Sequence, residues 1–133
     1  MIFIDCNIPM YLVGGPHAHK VESQLLLQRA AASGIRLVSN AEVLQEILHR
    51  YSAINRRDAI EPAMNCLMGL VDEIYPVEES TVLRASRMLL VSSGVSARDA
   101  VHLATMERYE IETIMSFDAG FDQWPGIRRL YKI

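Results

Sequence analysis

Met1-Ile2-Phe3-Ile4-Asp5-Cys6-Asn7 opens the chain with an apolar run that ends on an acid. Four hydrophobic residues without alternation read as a short strand buried on both faces, as in the middle of a parallel sheet. The same grammar returns at Thr113-Ile114-Met115-Ser116-Phe117-Asp118. If both runs are parallel strands of one sheet, their acids Asp5 and Asp118 arrive at the same edge.

Outward from these two runs, strands alternate with helices. Arg36–Val38 is a short strand followed by Ser39-Asn40. Glu73–Val77 contains Pro76 and reads as irregular or as an edge strand. Arg128–Ile133 closes the chain as a further strand. Helical patterns fill the intervals. Lys20–Ser33 carries Val21, Leu25, Leu26 and Ala32, with Gly34 as its stop. Ala41–Tyr51 sets Val43, Leu44, Ile47, Leu48 and Tyr51 on one face, and Arg57–Val71 sets Ile60, Met64, Leu67, Met68 and Val71 on one face. Ser80–Ser92 has Val82, Ala85 and Leu89. Ser96–Tyr109 opens with Ser96 as N-cap and Asp99 at the spacing of a capping box. Strands separated by long helices require crossover connections. We therefore expect an α/β fold, a three-layer α/β/α sandwich with a central, mainly parallel sheet, formed by residues 1–133 as a single domain. Ligands of such sheets bind beyond the carboxyl ends of the strands, where the strand order reverses.

Composition narrows the class. Half of the 133 residues are hydrophobic, enough for one core. No uninterrupted apolar stretch reaches the roughly 18 residues of a membrane span, so no membrane is expected as a partner. An acid at position 5 is foreign to a signal peptide, and Cys6 and Cys66 lack metal-finger spacing. A cytoplasmic protein is expected. The net charge of −3 argues against holding nucleic acid by charge alone. A nucleic-acid enzyme of this balance needs cations to bring phosphates close.

Four acids form the candidate centre: Asp5, Glu46, Asp99 and Asp118. On a helical wheel Glu46 lies outside the apolar arc from Val43 to Leu48. It is expected to reach the rim of the sheet without entering the core. Asp99 enters a helix that is otherwise largely apolar. Each acid has an ordinary reading on its own, as a turn residue, a solvated helix residue or a helix-start charge; the set carries the inference. Converging carboxylates repel one another. A hard divalent cation removes that repulsion, and this is the arrangement of metal-assisted phosphodiester cleavage. All four carboxyl groups are expected within roughly 10 Å of a common centre. Asn7 and Ser116 are placed to orient water or phosphate, with Arg98 as a further substrate contact.

These segments resemble the motifs of PIN-domain ribonucleases. Ile2-Phe3-Ile4-Asp5-Cys6-Asn7 is similar to the strand, Asp and Asn that open such domains, with Cys6 where Thr or Ser is commoner. Leu37-Val38-Ser39 followed by Val43-Leu44-Gln45-Glu46-Ile47-Leu48 is similar to the second motif, Ser96 to Ala104 around Asp99 to the third, and Ser116-Phe117-Asp118 with Phe121 to the fourth. The single-domain length resembles the VapC toxins. The resemblance implies a Mg²⁺-dependent endoribonuclease, with Mn²⁺ as the alternative ion, and Asp5, Glu46, Asp99 and Asp118 as metal-site acids. It further implies an RNA substrate, a cognate antitoxin protein as inhibitor, and a homodimer. Glu42, one turn before Glu46, and Asp122, beyond Asp118, compete for places in the set. Two other readings stay open: a PIN-like module that binds RNA or protein without cutting, and a phosphohydrolase with Asp5 as nucleophile. The latter chemistry looks for an Asp where Asn7 stands.

Of the remaining residues, His17 and His19 read as exposed loop histidines within reach of RNA. His102 reads as a packed, hydrogen-bonded residue. Arg50, Arg56 and Arg57 read as a solvated basic cluster usable for phosphates. Trp124 reads as a cap on the core.

Overall fold

The structure, a computed structural model, describes residues 1–133. Its elements in chain order are β1 (Ile2–Ile4), α1 (Asn7–Val13), α2 (Ala18–Ala32), β2 (Leu37–Asn40) and α3 (Ala41–Ala53). Next come α4 (Ile60–Leu70), β3 (Glu73–Tyr75), α5 (Glu79–Val91), α6 (Ala97–Arg108), β4 (Thr113–Met115) and β5 (Arg128–Leu130). Short 3₁₀ turns at Arg57–Ala59 and Ala119–Gln123 precede α4 and β5.

All five strands are parallel, in the order β3-β2-β1-β4-β5. The chain steps outward from β1 through β2 to β3, then returns across β1 to place β4 on its other side. With right-handed crossovers, this reversal puts α1–α4 on one face and α5 and α6 on the other. The packing agrees: α1 lies against α2 and α4, α3 against α4, and α5 against α6, while α3 also touches α6. The switch point falls between β1 and β4, whose carboxyl ends are followed by Asp5 and Ser116. The three residues of β1 are all buried, as a central strand requires. β3 is an edge strand, with Pro76 just beyond it where no ladder partner is needed.

Several local expectations change. The second strand runs Leu37–Asn40, so Ser39 and Asn40 belong to it rather than following it. The strands at the two later positions stop at Met115 and Leu130. α1 was not expected; Pro9 is compatible with it because the first helical turn has no intrahelical use for that N–H. α2 starts at Ala18, two residues earlier than its periodicity suggests, because His17 is its N-cap: the ring Nδ1 accepts the His19 amide at 2.9 Å. The histidines are therefore helix-start residues and not loop residues. Gly34 does end α2, at φ +65°. Val21 and Leu25 face out, and Ser23, Leu26 and Ala30 supply the buried stripe. On α3, α4 and α5, Leu48, Met68, Val82 and Leu89 are likewise exposed. Ala85 packs in the core as its spacing suggests, and Ala63 and Met88 join it there.

Candidate active site

Asp5 leaves the end of β1, where its backbone N–H donates to the Met115 carbonyl of β4 at 3.1 Å. The parallel ladder thus fixes it at the switch point. Its Oδ1 accepts the Cys6 amide at 2.7 Å, and its Oδ2 accepts the Ser116 hydroxyl and the Asn7 amide, the latter at 3.3 Å. Ser116 is fully buried and accepts in turn from Asn7 Nδ2 at 3.2 Å and from the Asp118 amide at 3.0 Å. Asn7 completes the circuit by accepting the Phe117 amide at 3.3 Å. One hydroxyl and one amide side chain therefore bind the end of β1 to the turn after β4.

Glu46 reaches this edge from α3. It is only 3% exposed, so it lies inside the wall of the site rather than on an open rim. Its carboxylate accepts from His102 Nε2 and from the Cys6 thiol at 3.2 Å, and Arg50, one turn later on α3, stands 3.6 Å away. His102 also lies 3.9 Å from Asp5. One ligand atom each of Asp5, Glu46 and His102 falls within a 4.8 Å group. Asp99 enters from the first turn of α6, its amide donating to Ser96 Oγ at 3.2 Å. Asp118 is exposed and caps the following 3₁₀ turn through Gly120, whose amide donates to it at 2.8 Å. Asp99 and Asp118 face the same glycine. A Cβ on Gly120 would stand 3.1 Å from Asp118 Oδ1 and 3.3 Å from Asp99 Oδ2, in the space between the two carboxylates.

The electrostatics follow from this crowding. Burial raises the Asp5 carboxyl above its ordinary value, with His102 and Ser116 opposing. Asp99 is raised to about 7, first by burial and then by the charges of Asp118 and Asp5. For Glu46 burial also pushes upward, but the hydrogen bond and charge of His102 outweigh it and the carboxyl is held low. Burial pushes the Cys6 thiol far upward, so it is a neutral donor. Acids held together with too little positive charge nearby are what a divalent cation relieves. The oxygen-rich donor set suits a hard ion. These residues fit such an ion.

The structure brings Asp5, Glu46, Asp99 and Asp118 to one edge of the sheet, with Asn7 and Ser116 bonded among them. Glu42 is half-buried and takes part only through charge, acting with Glu46, His102 and the half-buried Arg98. Asp122 points elsewhere, into a two-pronged ion pair with Arg129 at 2.9 and 3.0 Å. The basic cluster divides: Arg50 serves the site, while Arg56 pairs with Asp58 at 3.1 Å. Trp124 packs half-buried against the core. His102 is packed and hydrogen-bonded, as expected, but its partner is Glu46, and Cys6, for which no site role is expected, also donates to Glu46. For His102 the one available signal was its position, one turn after Asp99 on the same buried helix.

An all-parallel sheet with acids gathered at its switch point is the architecture of one class of nuclease fold, and the chain belongs to it: residues 2–126 match the PIN-domain family. Within that family it belongs with the VapC ribonucleases. It is 55% identical over 130 residues to ribonuclease VapC13 of Mycobacterium tuberculosis, covering 98% of this chain and 99% of that protein. The fold is also that of the crystal structure of M. tuberculosis VapC20, described as a sarcin–ricin-loop-cleaving toxin, at TM-score 0.69 and 21% identity over 92% of this chain and 93% of that one. A toxin–antitoxin complex from Klebsiella pneumoniae matches at TM-score 0.69 and 16% identity over the whole of both chains.

Proposed function

We propose that this chain is the toxin of a toxin–antitoxin pair, an endoribonuclease that hydrolyses RNA phosphodiester bonds with the help of Mg²⁺ or Mn²⁺. The observation that carries the reading is the meeting of Asp5, Glu46, Asp99 and Asp118, carried by four separate segments, at the edge of the sheet where β1 and β4 end. Asp5, Asp99 and Asp118 would hold the ion, with Glu46 behind them. A bound divalent ion supplies charge neutralisation for acids and phosphate alike and makes a water more acidic. Ser116 and Asn7 keep Asp5 Oδ2 in place, so its Oδ1 side and the facing Asp99 present a fixed pair of oxygens. Arg50, 3.6 Å from Glu46, and Arg98, whose charge acts on Glu42, would offer cations to an incoming phosphate.

The protein would work in the cytoplasm; no helix is long and apolar enough to cross a membrane. The cognate antitoxin and a second copy of the chain are the proposed protein partners. Leu90 and Val91 at the end of α5 are 85% and 77% exposed, with Val82 and Leu83 open on the same helix. Apolar exposure of this kind is characteristic of covered interfaces. Incubating the purified protein with a mixed RNA pool in Mg²⁺, Mn²⁺ or EDTA tests the activity. Cleavage that EDTA stops supports the reading. RNA bound but left intact in both metals would favour a non-cutting module, and hydrolysis of small phosphate esters alone would favour a phosphohydrolase.

A further inference from the structure

Beside the acids lies a group of aromatic rings that the chemistry above does not use. Tyr11 from α1, His17 and His19 at the start of α2, and Phe117 after β4 come from three parts of the chain. His19 stacks on Phe117 with ring centroids 3.9 Å apart and planes at 12°. Tyr11 meets His17 at 4.8 Å, His19 at 5.0 Å and Phe117 at 5.5 Å, and His17 meets His19 at 5.0 Å. Tyr11, His19 and Phe117 are half-buried, and His17 is exposed at the outer end.

This group is joined to the reacting edge. Phe117 lies between Ser116 and Asp118, and its amide is the one held by Asn7, the residue that also binds Asp5. The rings are also held rigidly: Lys20 Nζ donates to the Gly14 carbonyl at 2.9 Å, His17 Nδ1 caps α2, and His19 Nδ1 bonds Glu22 at 2.7 Å. The Glu22 carboxylate is thereby turned toward the His19 ring and fixes its orientation. An aromatic group of this kind, half open and placed directly beside a phosphodiester-cutting centre, has the chemistry of a base-stacking surface. Single-stranded RNA is recognised by unstacked bases laid on aromatic side chains, His included.

We propose that Tyr11, His17, His19 and Phe117 form a stacking platform for an unpaired base of the RNA next to the cleaved phosphate, with His17 as its exposed ring. This rests on the ribonuclease reading above. The platform fixes the strand by a contact indifferent to salt, which suits a chain of net negative charge that cannot rely on basic patches.

The cap role of His17 allows a clean test. His17→Asn keeps a side-chain acceptor for the α2 cap and removes the ring; His17→Phe does the reverse. Binding of a fluorescein-labelled single-stranded RNA is measured by anisotropy in the Asp5→Asn background, and cleavage kinetics in the active protein, both at the same pH and salt. His17→Asn should weaken RNA binding and raise KM about tenfold, with kcat and Tm unchanged, as loss of one stacked base predicts. His17→Phe should restore RNA affinity despite a lower Tm. Equal KM for His17→Asn and the active parent, or failure of folded His17→Phe to restore affinity, overturns the platform while leaving the nuclease intact. Loss of antitoxin affinity without loss of RNA affinity assigns the rings to the protein partner and also overturns it. A parent protein that neither binds nor cuts RNA overturns both readings.

Discussion

Asp5 is held by three donors, the Cys6 amide, Ser116 and Asn7, and still carries a raised pKa because it is buried among acids. Asp5→Asn preserves its size and removes the charge. Cleavage should be abolished, while Tm in EDTA stays unchanged or rises. The stabilisation that Mg²⁺ confers by binding only the folded protein, about 2.7 kcal/mol at a hundred times its Kd, should be much smaller in the variant than in the parent. A folded variant that cuts RNA at the parent rate would remove Asp5 from the centre. His102 makes a different prediction. It is fully buried, it is bonded to Glu46, and its Nδ1 has no partner. His102→Ala leaves a cavity and a buried carboxylate with only the Cys6 thiol and Arg50 beside it, so unfolding in urea should show a loss of about 3 kcal/mol or more. A loss below 1 kcal/mol would mean that Glu46 is paired without it. At this scale the acids were legible because Asp5, Asp99 and Asp118 stand at the end or start of an element, and Glu46 lies outside the apolar arc of α3. The donors to Glu46 were not. Cys6, His102 and Arg50 look like packing or surface residues until β1, α3 and α6 are placed side by side, and no periodicity reports that angle.

The elements that carry the acids are coupled by Asn40. Its Oδ1 accepts the Val43 amide at 3.0 Å as the N-cap of α3, and its Nδ2 donates to Thr105 Oγ1 on α6 at 2.9 Å, fully buried. One residue thus starts the Glu46 helix and ties it to the Asp99 helix. Asn40→Ala loses the cap, typically about 1 kcal/mol, and a buried hydrogen bond of similar size. We expect about 2 kcal/mol lost in urea unfolding and a lower kcat, because Glu46 and Asp99 are no longer held in register. Asn40→Ser keeps a capping oxygen without a buried charge but cannot reach Thr105, and should recover about half of the stability. Equal losses for both variants would show that the cap contributes little, and full recovery in the second that the α3–α6 tie does. Helices α3 to α6 were legible from their apolar spacing. Their faces were less so: Leu48, Met68, Val82 and Leu89 fit the core stripe by period yet are exposed, because each helix packs on one side only and small residues fill the close contacts. The helix α1 was missed because Asn7-Ile8-Pro9 reads as a turn after a strand until the first-turn tolerance of Pro is invoked.

For the whole molecule, parallel strands and crossovers were foreseeable, but the order β3-β2-β1-β4-β5 is a tertiary fact, and it decides that Asp5 and Asp118 follow the ends of adjacent strands. The gathered acids then set how the fold responds to pH and metal. Asp99 has an ordinary value of 3.8 and a folded value of about 7, raised by burial and by Asp118 and Asp5. A carboxyl raised in the fold binds more protons folded than unfolded across that window. Its contribution to stability is therefore complete below about 4 and lost as pH rises through about 7. Asp5 and Glu42 shift in the same direction, while Glu46, lowered by His102, shifts against them. In EDTA, Tm should fall between about pH 5 and pH 7, and Asp99→Asn should flatten that fall, the gap between the two proteins widening with pH. Metal reverses the trend, since its ligands must be deprotonated to bind it. The rise in Tm on adding Mg²⁺ should be small near pH 5 and largest above about pH 7. Parallel Tm–pH curves for the parent and Asp99→Asn in EDTA would show that Asp99 does not carry the strain of the cluster. A Mg²⁺ shift independent of pH would show that the ion binds away from these acids.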